Sequence, residues 1–445
     1  MNDVTFIILG ATGDLTKKKL IPAIYNIVKN KKVDNYTVVG VARAPMLKCK
    51  ILDGAKKYIK RADKKIFNEM ESKCEYFQGD FYDDDRWQEF STFLKEVEKK
   101  NNTSKRIFYL ATLPSHFEVI AKKLGKHKLV KSNSKVIFEK PFGEDLKSAK
   151  SINRQLKKVF KEKQIYRIDH YLGKELVQNV STLRFTNEIL EPTWNNKHIA
   201  NVQIVLSENI GVADRANFYD KYGVVKDVIQ NHALQLLALT AMEEPKKLNA
   251  KFIRDNKVKV LKNTKIKNYI LGQYKDYEVS KSKTPTFAAI ELRINNNRWK
   301  GVPFYILAGK NLKQKLTTIN IEYKNSACKL LEGVCNFSPN HLTIEVQPKE
   351  GFHVHLNTKI PRKMQTMPVK MDFCHECEFG MNTPEAYENL IIDVIKGDQS
   401  VFIRTDEIEE QWKIVEKIKP TKLFKYKKGT LPKEANSITK WHMGD

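Results

Sequence analysis

The segment VTFIILG, Val4 to Gly10, runs directly into ATGDLTKKKLIPAIYNIV, and no other stretch limits the possible folds of this chain so strongly. Seven consecutive uncharged residues suit a strand covered on both faces, as strands of parallel sheets are. The second segment reads as a glycine turn and then an amphipathic helix starting around Asp14. Gly10 and Gly13 allow close backbone approach to a pyrophosphate, and a helix start points N–H groups and the positive end of its dipole at such a group. The spacing G-x-x-G falls short of the full G-x-G-x-x-G, and a two-glycine turn also serves any α/β protein.

The next candidate strand, YTVVGVAR, ends in Arg43. An acidic residue at that point would bind a ribose 2′-hydroxyl, whereas an arginine meets a 2′-phosphate, so the pattern favours NADP unless Arg43 is simply a surface charge. RIFYLAT and KVIFEKP add two apolar strands around a helical SHFEVIAKKLGKHKL. Strands alternating with helices predict a parallel, doubly wound, Rossmann-type sheet. Ligands of such sheets sit beyond the carboxyl ends of the strands, where Lys140 of the EKP segment falls.

From residue 174 onward the strands lengthen and alternate in polarity, as in ANVQIVLSE, FAAIELRIN, TTINIEYKN and HLTIEVQP. Such alternation suits an antiparallel sheet with one covered face. The expected organisation is a dinucleotide-binding domain over 1–173 and a larger α+β domain, with a mainly antiparallel sheet, over 174–445. One helix, Val224 to Met242, interrupts the strands. In an α-helix its Asp227, Asn231 and Gln235 form a polar row at steps of four, with His232 at the seam of the two faces. Taken alone, a histidine there reads first as a satisfied core residue.

With 41% hydrophobic residues the 445-residue chain can bury substantial cores, and its net charge of +27 suits an anionic partner. The lysines are spread along the whole length, without the basic stripe or recognition motif of a nucleic-acid binder. No apolar run approaches the ~18 residues of a membrane span, and a strand beginning at Val4 leaves no room for a signal peptide, so a cytoplasmic protein is expected. Six cysteines are too few for a disulfide framework in so long a chain. Cys374-His-Glu-Cys377 has the spacing of metal ligands, but no second pair completes a zinc site, and Cys328 and Cys335 lie in a loop-like stretch. Free thiols and no metal are expected.

The densest group of reactive side chains is RIDHYLGK, Arg167 to Lys174. If a helix starts near Leu172, His170 and Lys174 project from one side, four residues apart, and suit a phosphate dianion. The other reading is a solvated loop with locally paired charges.

This segment also carries a resemblance. GATGDLTKKKLIPA, VIFEKPFG, QIYRIDHYLGKELVQN, YDKYGVVKDVIQNHALQLLALTAMEEP, GVPFYILAGK, VQPKEG and PEAYENLIIDVIKGDQ resemble, in order, the motifs of glucose-6-phosphate dehydrogenases. The resemblance implies oxidation of β-D-glucose 6-phosphate at C1 to the 6-phosphoglucono-δ-lactone, with hydride passing to NADP+. It implies His232 as general base and Asp169 as its dyad partner. His170, Tyr171 and Lys174 would hold the substrate phosphate, Glu208 and Asp227 the sugar hydroxyls, and Lys310 and Lys315 would complete the anionic substrate's site. Gly10, Thr12, Gly13, Asp14, Leu15 and Arg43 would bind the cofactor. Lys140 would lie between nicotinamide and sugar, beside a cis Lys140–Pro141 bond. A homodimer or homotetramer joined through the large sheet is implied as well.

The chain departs from the family pattern at Leu307 and Glu345, where relatives carry arginines that in some eukaryotic members serve a second, structural NADP site. Pro285 replaces a family Glu, and Ala44 removes a side chain able to share the 2′-phosphate. Two other readings differ in chemistry: a sugar oxidoreductase of the broader group that also uses an EKP motif, and a non-catalytic nucleotide-holding protein. Neither calls for the RIDHYLGK cluster.

Overall fold

The uncharged run at the amino end does form a strand with a parallel neighbour on each side. In the computed structural model, which describes residues 3–46, 50–59, 62–325, 338–363, 365–379, 386–419 and 422–444, β1 (Asp3–Leu9) lies between β2 (Asn35–Ala42) and β4 (Lys105–Leu110). β3 (Cys74–Gln78) pairs with β2, and β5 (Lys135–Phe138) and β6 (Ile165–Arg167) continue the sheet beyond β4. The resulting order, β3-β2-β1-β4-β5-β6, reverses direction between β1 and β4, where doubly wound sheets hold their ligands. Cys328 and Cys335 lie outside the described residues.

Two compact units emerge. The first comprises residues 1–173 with 248–254 and 384–409, and the second the remainder. The single cut read from the sequence thus gives way to a chain that returns to its first unit. The reason is apolar: Leu390, Ile391 and Val394 of the helix Ala386–Lys396 are buried in one cluster with Ile24 and Ile27 of the helix Ile21–Lys29. The edge of the Tyr166 ring also meets Phe402, with ring centroids 4.9 Å apart.

A buried cation holds the same segment. Arg167, at the end of β6, is 1% exposed and donates to Glu162 at 2.7 Å, Asn153 at 3.1 Å and Thr405 Oγ1 at 2.9 Å. The backbone N–H of Ile403 donates to its carbonyl at 3.1 Å.

The second unit is built on nine strands. In chain order they are β7 (Ile199–Ser207), β8 (Thr264–Tyr274), β9 (Phe287–Ile294), β10 (Pro303–Gly309) and β11 (Leu316–Tyr323). β12 (His341–Gln347), β13 (Gly351–Lys359), β14 (Thr366–Cys374) and β15 (Leu423–Tyr426) follow. Their order is β14-β13-β12-β11-β7-β10-β9-β8-β15. Pairing is antiparallel except for β7 with β10 and β8 with β15. The mainly antiparallel expectation therefore holds, with a parallel pair at the sheet's centre that alternation of polarity does not reveal.

Two sequence readings are corrected here. Cys374 and Cys377 are joined in a disulfide rather than free, since the turn from β14 into the helix His375–Phe379 brings their Cα atoms to 5.3 Å. The helix that holds His232 is widened over Val225–Ala233, where the backbone bonds five residues apart instead of four. The widened stretch ends before Gln235, which belongs to the following α-helix, Leu234–Ala241. Among the described residues no helix is long and apolar enough to cross a membrane.

Removing the Arg167 side chain would strand its buried acceptors. We expect Arg167→Ala to lower unfolding stability by about 3 kcal/mol, read by urea denaturation.

Candidate active site

In the first unit the candidate residues gather at the carboxyl ends of the parallel strands. Gly10 follows β1 with φ +96°, and a Cβ there would lie 2.4 Å from the carbonyl oxygen of Ala111, so glycine is required. The N–H groups of Gly10 and Ala11 donate to Val41 O at 2.9 and 3.1 Å, fastening the turn to the end of β2. Gly13 N–H donates to Gly10 O at 3.1 Å, and Thr16 Oγ1 to the same oxygen at 3.2 Å. Thr12, Asp14 and Leu15 complete the turn; Asp14 pairs with Lys18 at 2.7 Å, and that exposed pair holds its carboxyl below the ordinary range. Arg43 stands exposed just past β2, the strand beside β1. A glycine turn at the switch point with an exposed arginine on the neighbouring strand fits a dinucleotide carrying phosphates.

Beyond β5, Glu139 and Lys140 are half-buried and Lys140–Pro141 is cis. The Glu139 carboxylate accepts from Tyr109 and from Tyr387. Burial pushes its pKa up to about 7; the two phenols and Lys140 oppose the shift, and the charge of Asp169 adds to it.

Beyond β6, the carboxylate of Asp169 accepts from the N–H of Tyr171 at 3.0 Å, and Leu172 N–H donates to Asp169 O at 3.0 Å. This local turn competes with helix and delays it. The helix starts at Glu175, with Lys174 immediately ahead of it, so His170 and Lys174 are not one helical turn apart as the sequence suggested. Asp169 is 1% exposed, Tyr171 is buried and His170 half-buried, with the two rings 5.0 Å apart. Gly173 closes the turn, where a Cβ would meet Leu390 at 2.9 Å.

In the second unit the parallel pair sets the geometry. Gly309 of β10 is in register with Ser207 of β7, so the next residues, Lys310 and Glu208, emerge side by side and form an ion pair of 2.7 Å. β11 runs antiparallel to β7 with Leu316 opposite Ser207, which brings Lys315 to the same edge. Lys174 is half-buried there: burial pulls its pKa down, Glu350 opposes this and the charge of Lys315 adds to it. A half-buried lysine whose charge a second lysine disfavours makes an edge that gains from a bound anion.

The widened helix packs on β7 and β10 and carries half-buried Asp227 and buried His232. Its start is pinned by Val224 N–H donating to Pro285 O at 2.8 Å. Gln411 donates to Asn231 O at 3.3 Å.

Sequence reasoning missed Tyr219. Its ring lies under the Lys310 ammonium, 5.5 Å from centroid to Nζ, and its buried hydroxyl has no hydrogen-bond partner among the described residues. Burial first, then the carboxylate of Asp227 and later Glu208, raise its pKa far above that of an ordinary phenol. Nothing in FYDKYG distinguishes this tyrosine from a core aromatic; its place beside Asp227, Glu208 and Lys310 does.

Comparison with known proteins matches residues 7–179 to the glucose-6-phosphate dehydrogenase NAD binding domain and residues 181–443 to the C-terminal domain of the same enzymes. The chain belongs to the glucose-6-phosphate dehydrogenase family. The Bacillus subtilis glucose-6-phosphate 1-dehydrogenase is 40% identical over 443 residues, covering 93% of this chain and 91% of that protein. The Arabidopsis thaliana cytoplasmic form 5 is 38% identical, with 98% and 91% covered. A solved glucose-6-phosphate dehydrogenase in complex with glucose-6-phosphate superposes with a TM-score of 0.92 at 32% identity, covering 98% of this chain and 96% of that one. Gal80p of Saccharomyces cerevisiae, at 11% identity and a TM-score of 0.53, shares the fold alone. Against the family pattern, Leu307 is wholly buried in β10, packed in an apolar cluster, while Glu345 accepts from the N–H of Lys349 at 3.2 Å.

Because Glu139 titrates near 7 when folded but near 4.5 as an ordinary glutamate, its burial costs stability once it is ionised. That cost is relieved as pH falls through about 7 toward 4.5. Thermal midpoints measured between about pH 5 and pH 8 should show wild type losing stability relative to Glu139→Gln as pH rises. A constant difference would refute the assignment.

Proposed function

We propose that this chain oxidises β-D-glucose 6-phosphate at C1 to 6-phospho-D-glucono-1,5-lactone with NADP+ as acceptor, the first oxidative step of the pentose phosphate pathway. The observation that carries this reading is the family match through both halves of the chain, with every candidate residue present. NADP+ supplies the hydride acceptor when bound. In this reading the first unit forms its domain, with Gly10, Thr12, Gly13, Asp14 and Leu15 at the pyrophosphate and Arg43 at the 2′-phosphate. The second unit binds substrate and dimerises.

His232 takes the proton of the C1 hydroxyl as the C1 hydride leaves, so the two electrons of the broken C–H bond depart with the hydride and the carbonyl of the lactone forms. A neutral imidazole suits the task because its unperturbed pKa lies near working pH. Asp169 is its carboxylate partner, fixing the tautomer and stabilising the imidazolium. His170, Tyr171, Lys174 and Lys315 hold the phosphate dianion, which offsets the burial and the Lys315 charge that weaken Lys174. Glu208, Asp227 and Lys310 bind sugar hydroxyls, joined by the Tyr219 hydroxyl, and Lys140 lies between sugar and nicotinamide. Assembly as a homodimer or homotetramer through the large sheet is supported by Leu356, Val369 and Met371, which stand 42%, 39% and 62% exposed on neighbouring outer strands. A cytoplasmic location follows the same family reading.

Steady-state assays with NADP+ and NAD+ side by side test this. Phosphorylated sugars, glucose 6-phosphate among them, should be strongly preferred over free glucose, and NADP+ over NAD+; equal rates on free glucose would overturn the reading. His232→Ala should lower kcat by about 10²–10⁴-fold with little change in substrate affinity. Lys174→Ala should act mainly on KM. Tyr219→Phe should raise KM for glucose 6-phosphate by about 5–10-fold, the loss of one neutral hydrogen bond, while leaving the KM for cofactor unchanged.

A further inference from the structure

One face of the large sheet carries polar rows where a covered sheet would place apolar ones. β12 alternates cleanly: Leu342, Ile344 and Val346 are buried on one side, while His341, Thr343 and Glu345 turn to the other. In register across the strands lie Asn201, Glu322, His341 and His355, and in the next row Gln203, Asn320, Thr343, His353 and Asp372. The carboxyl-terminal segment covers part of this face, since His442 N–H donates to Gln203 Oε1 at 2.9 Å and His442 Nε2 meets Glu322 Oε2 at 3.2 Å.

Three of these residues have an arrangement with a chemical meaning. His353 and His355 are two apart on β13, so their side chains leave the same face, and His341 is the cross-strand partner of His355. All three are half-buried, and one ring nitrogen from each lies within 4.8 Å of the other two. The His341 and His355 rings stack with centroids 4.0 Å apart, and His353 stands nearly at right angles to His355 at 5.2 Å.

We propose that His341, His353 and His355 form a binding site for a divalent transition-metal ion of the zinc class. Imidazole suits zinc, copper, nickel and cobalt, and discriminates against the hard ions magnesium and calcium. Tetrahedral coordination with metal–nitrogen bonds of about 2.0–2.1 Å sets nitrogens roughly 3.4 Å apart, so from separations of at most 4.8 Å the rings close by no more than about 1.4 Å. Side-chain rotation supplies this while the sheet stays in place. Carboxylates able to support metal-binding histidines stand nearby. Asp372 Oδ1 lies 3.8 Å from His353 Nδ1, and Glu322 reaches the His442 ring, itself 5.5 Å from His341. A fourth position is left to water or His442. The ion would clasp β12 to β13 and so act on stability; none of the residues assigned to the oxidation reaction takes part.

The test uses the full chain after chelator treatment, titrated with Co2+ and followed by its visible d–d bands. We expect one ion per chain with tetrahedral bands, displacement by Zn2+, and a rise in thermal midpoint of about 5 °C at ~100-fold excess over Kd. His355→Gln should weaken Co2+ binding by more than about 100-fold, since loss of an outer-shell partner alone typically costs 10–100-fold. It should abolish the thermal shift while circular dichroism in chelator matches wild type. If that variant fails to fold, His353→Gln must show the same loss, and Asp372→Asn should weaken binding by about tenfold. Absence of tetrahedral bands in wild type overturns the proposal. So does binding by the folded histidine variants equal to wild type, which would place the ion elsewhere.

Discussion

A guanidinium cannot be left unpaired inside a protein, and the first unit is arranged around that constraint at Arg167. Glu162, Asn153 and Thr405 accept from it, and the last of these belongs to a segment more than two hundred residues away in sequence. One buried cation and the apolar face of the helix Ile21–Lys29 thus hold 384–409 in the first unit together. The chain leaves Arg167 with its direction set, and Asp169 and Tyr171 come next, within a turn closed by their own hydrogen bonds.

The second unit reaches a comparable result with strands. Antiparallel strands deliver alternate ends to a given edge, whereas the parallel pairing of β10 with β7 delivers two carboxyl ends together. Glu208 and Lys310 are the residues immediately past those ends, and Lys315 immediately precedes the antiparallel neighbour. Opposite and like charges meet there for topological reasons. A chain of net charge +27 has lysines to spare, but screening makes most of them indifferent to a ligand. Lys174 differs because burial and Lys315 weaken its charged form in the absence of an anion.

Winding matters as much as topology around His232. Over Val225–Ala233 each backbone hydrogen bond spans one more residue than in an α-helix, which changes the angle between successive side chains. Such widening is rare and recurs at functional sites. Composition offers no signal for it: VKDVIQNHA reads as an ordinary amphipathic helix. Tyr219 was equally hidden, because a tyrosine's role depends on whether its hydroxyl faces the core or a cluster of carboxylates and ammonium. The His341, His353 and His355 group escaped for a related reason. The H-x-H spacing on β13 is visible in the sequence, but its third member joins only through strand register.

Local chemistry was legible in the linear chain. Uncharged runs, alternating polarity and the glycines around Gly10 specify strands, sheet types and a tight turn, because each depends on residues near one another in sequence. The density of Asp169, His170, Tyr171 and Lys174 marked a candidate site, and the order of motifs marked the family. Tertiary structure alone decided the parallel β7–β10 pair, the return of 384–409, the late start of the helix at Glu175 and the disulfide at Cys374. Each depends on which distant groups satisfy a buried charge, cover an apolar face or compete for a backbone N–H, and that is settled only when the chain has closed on itself.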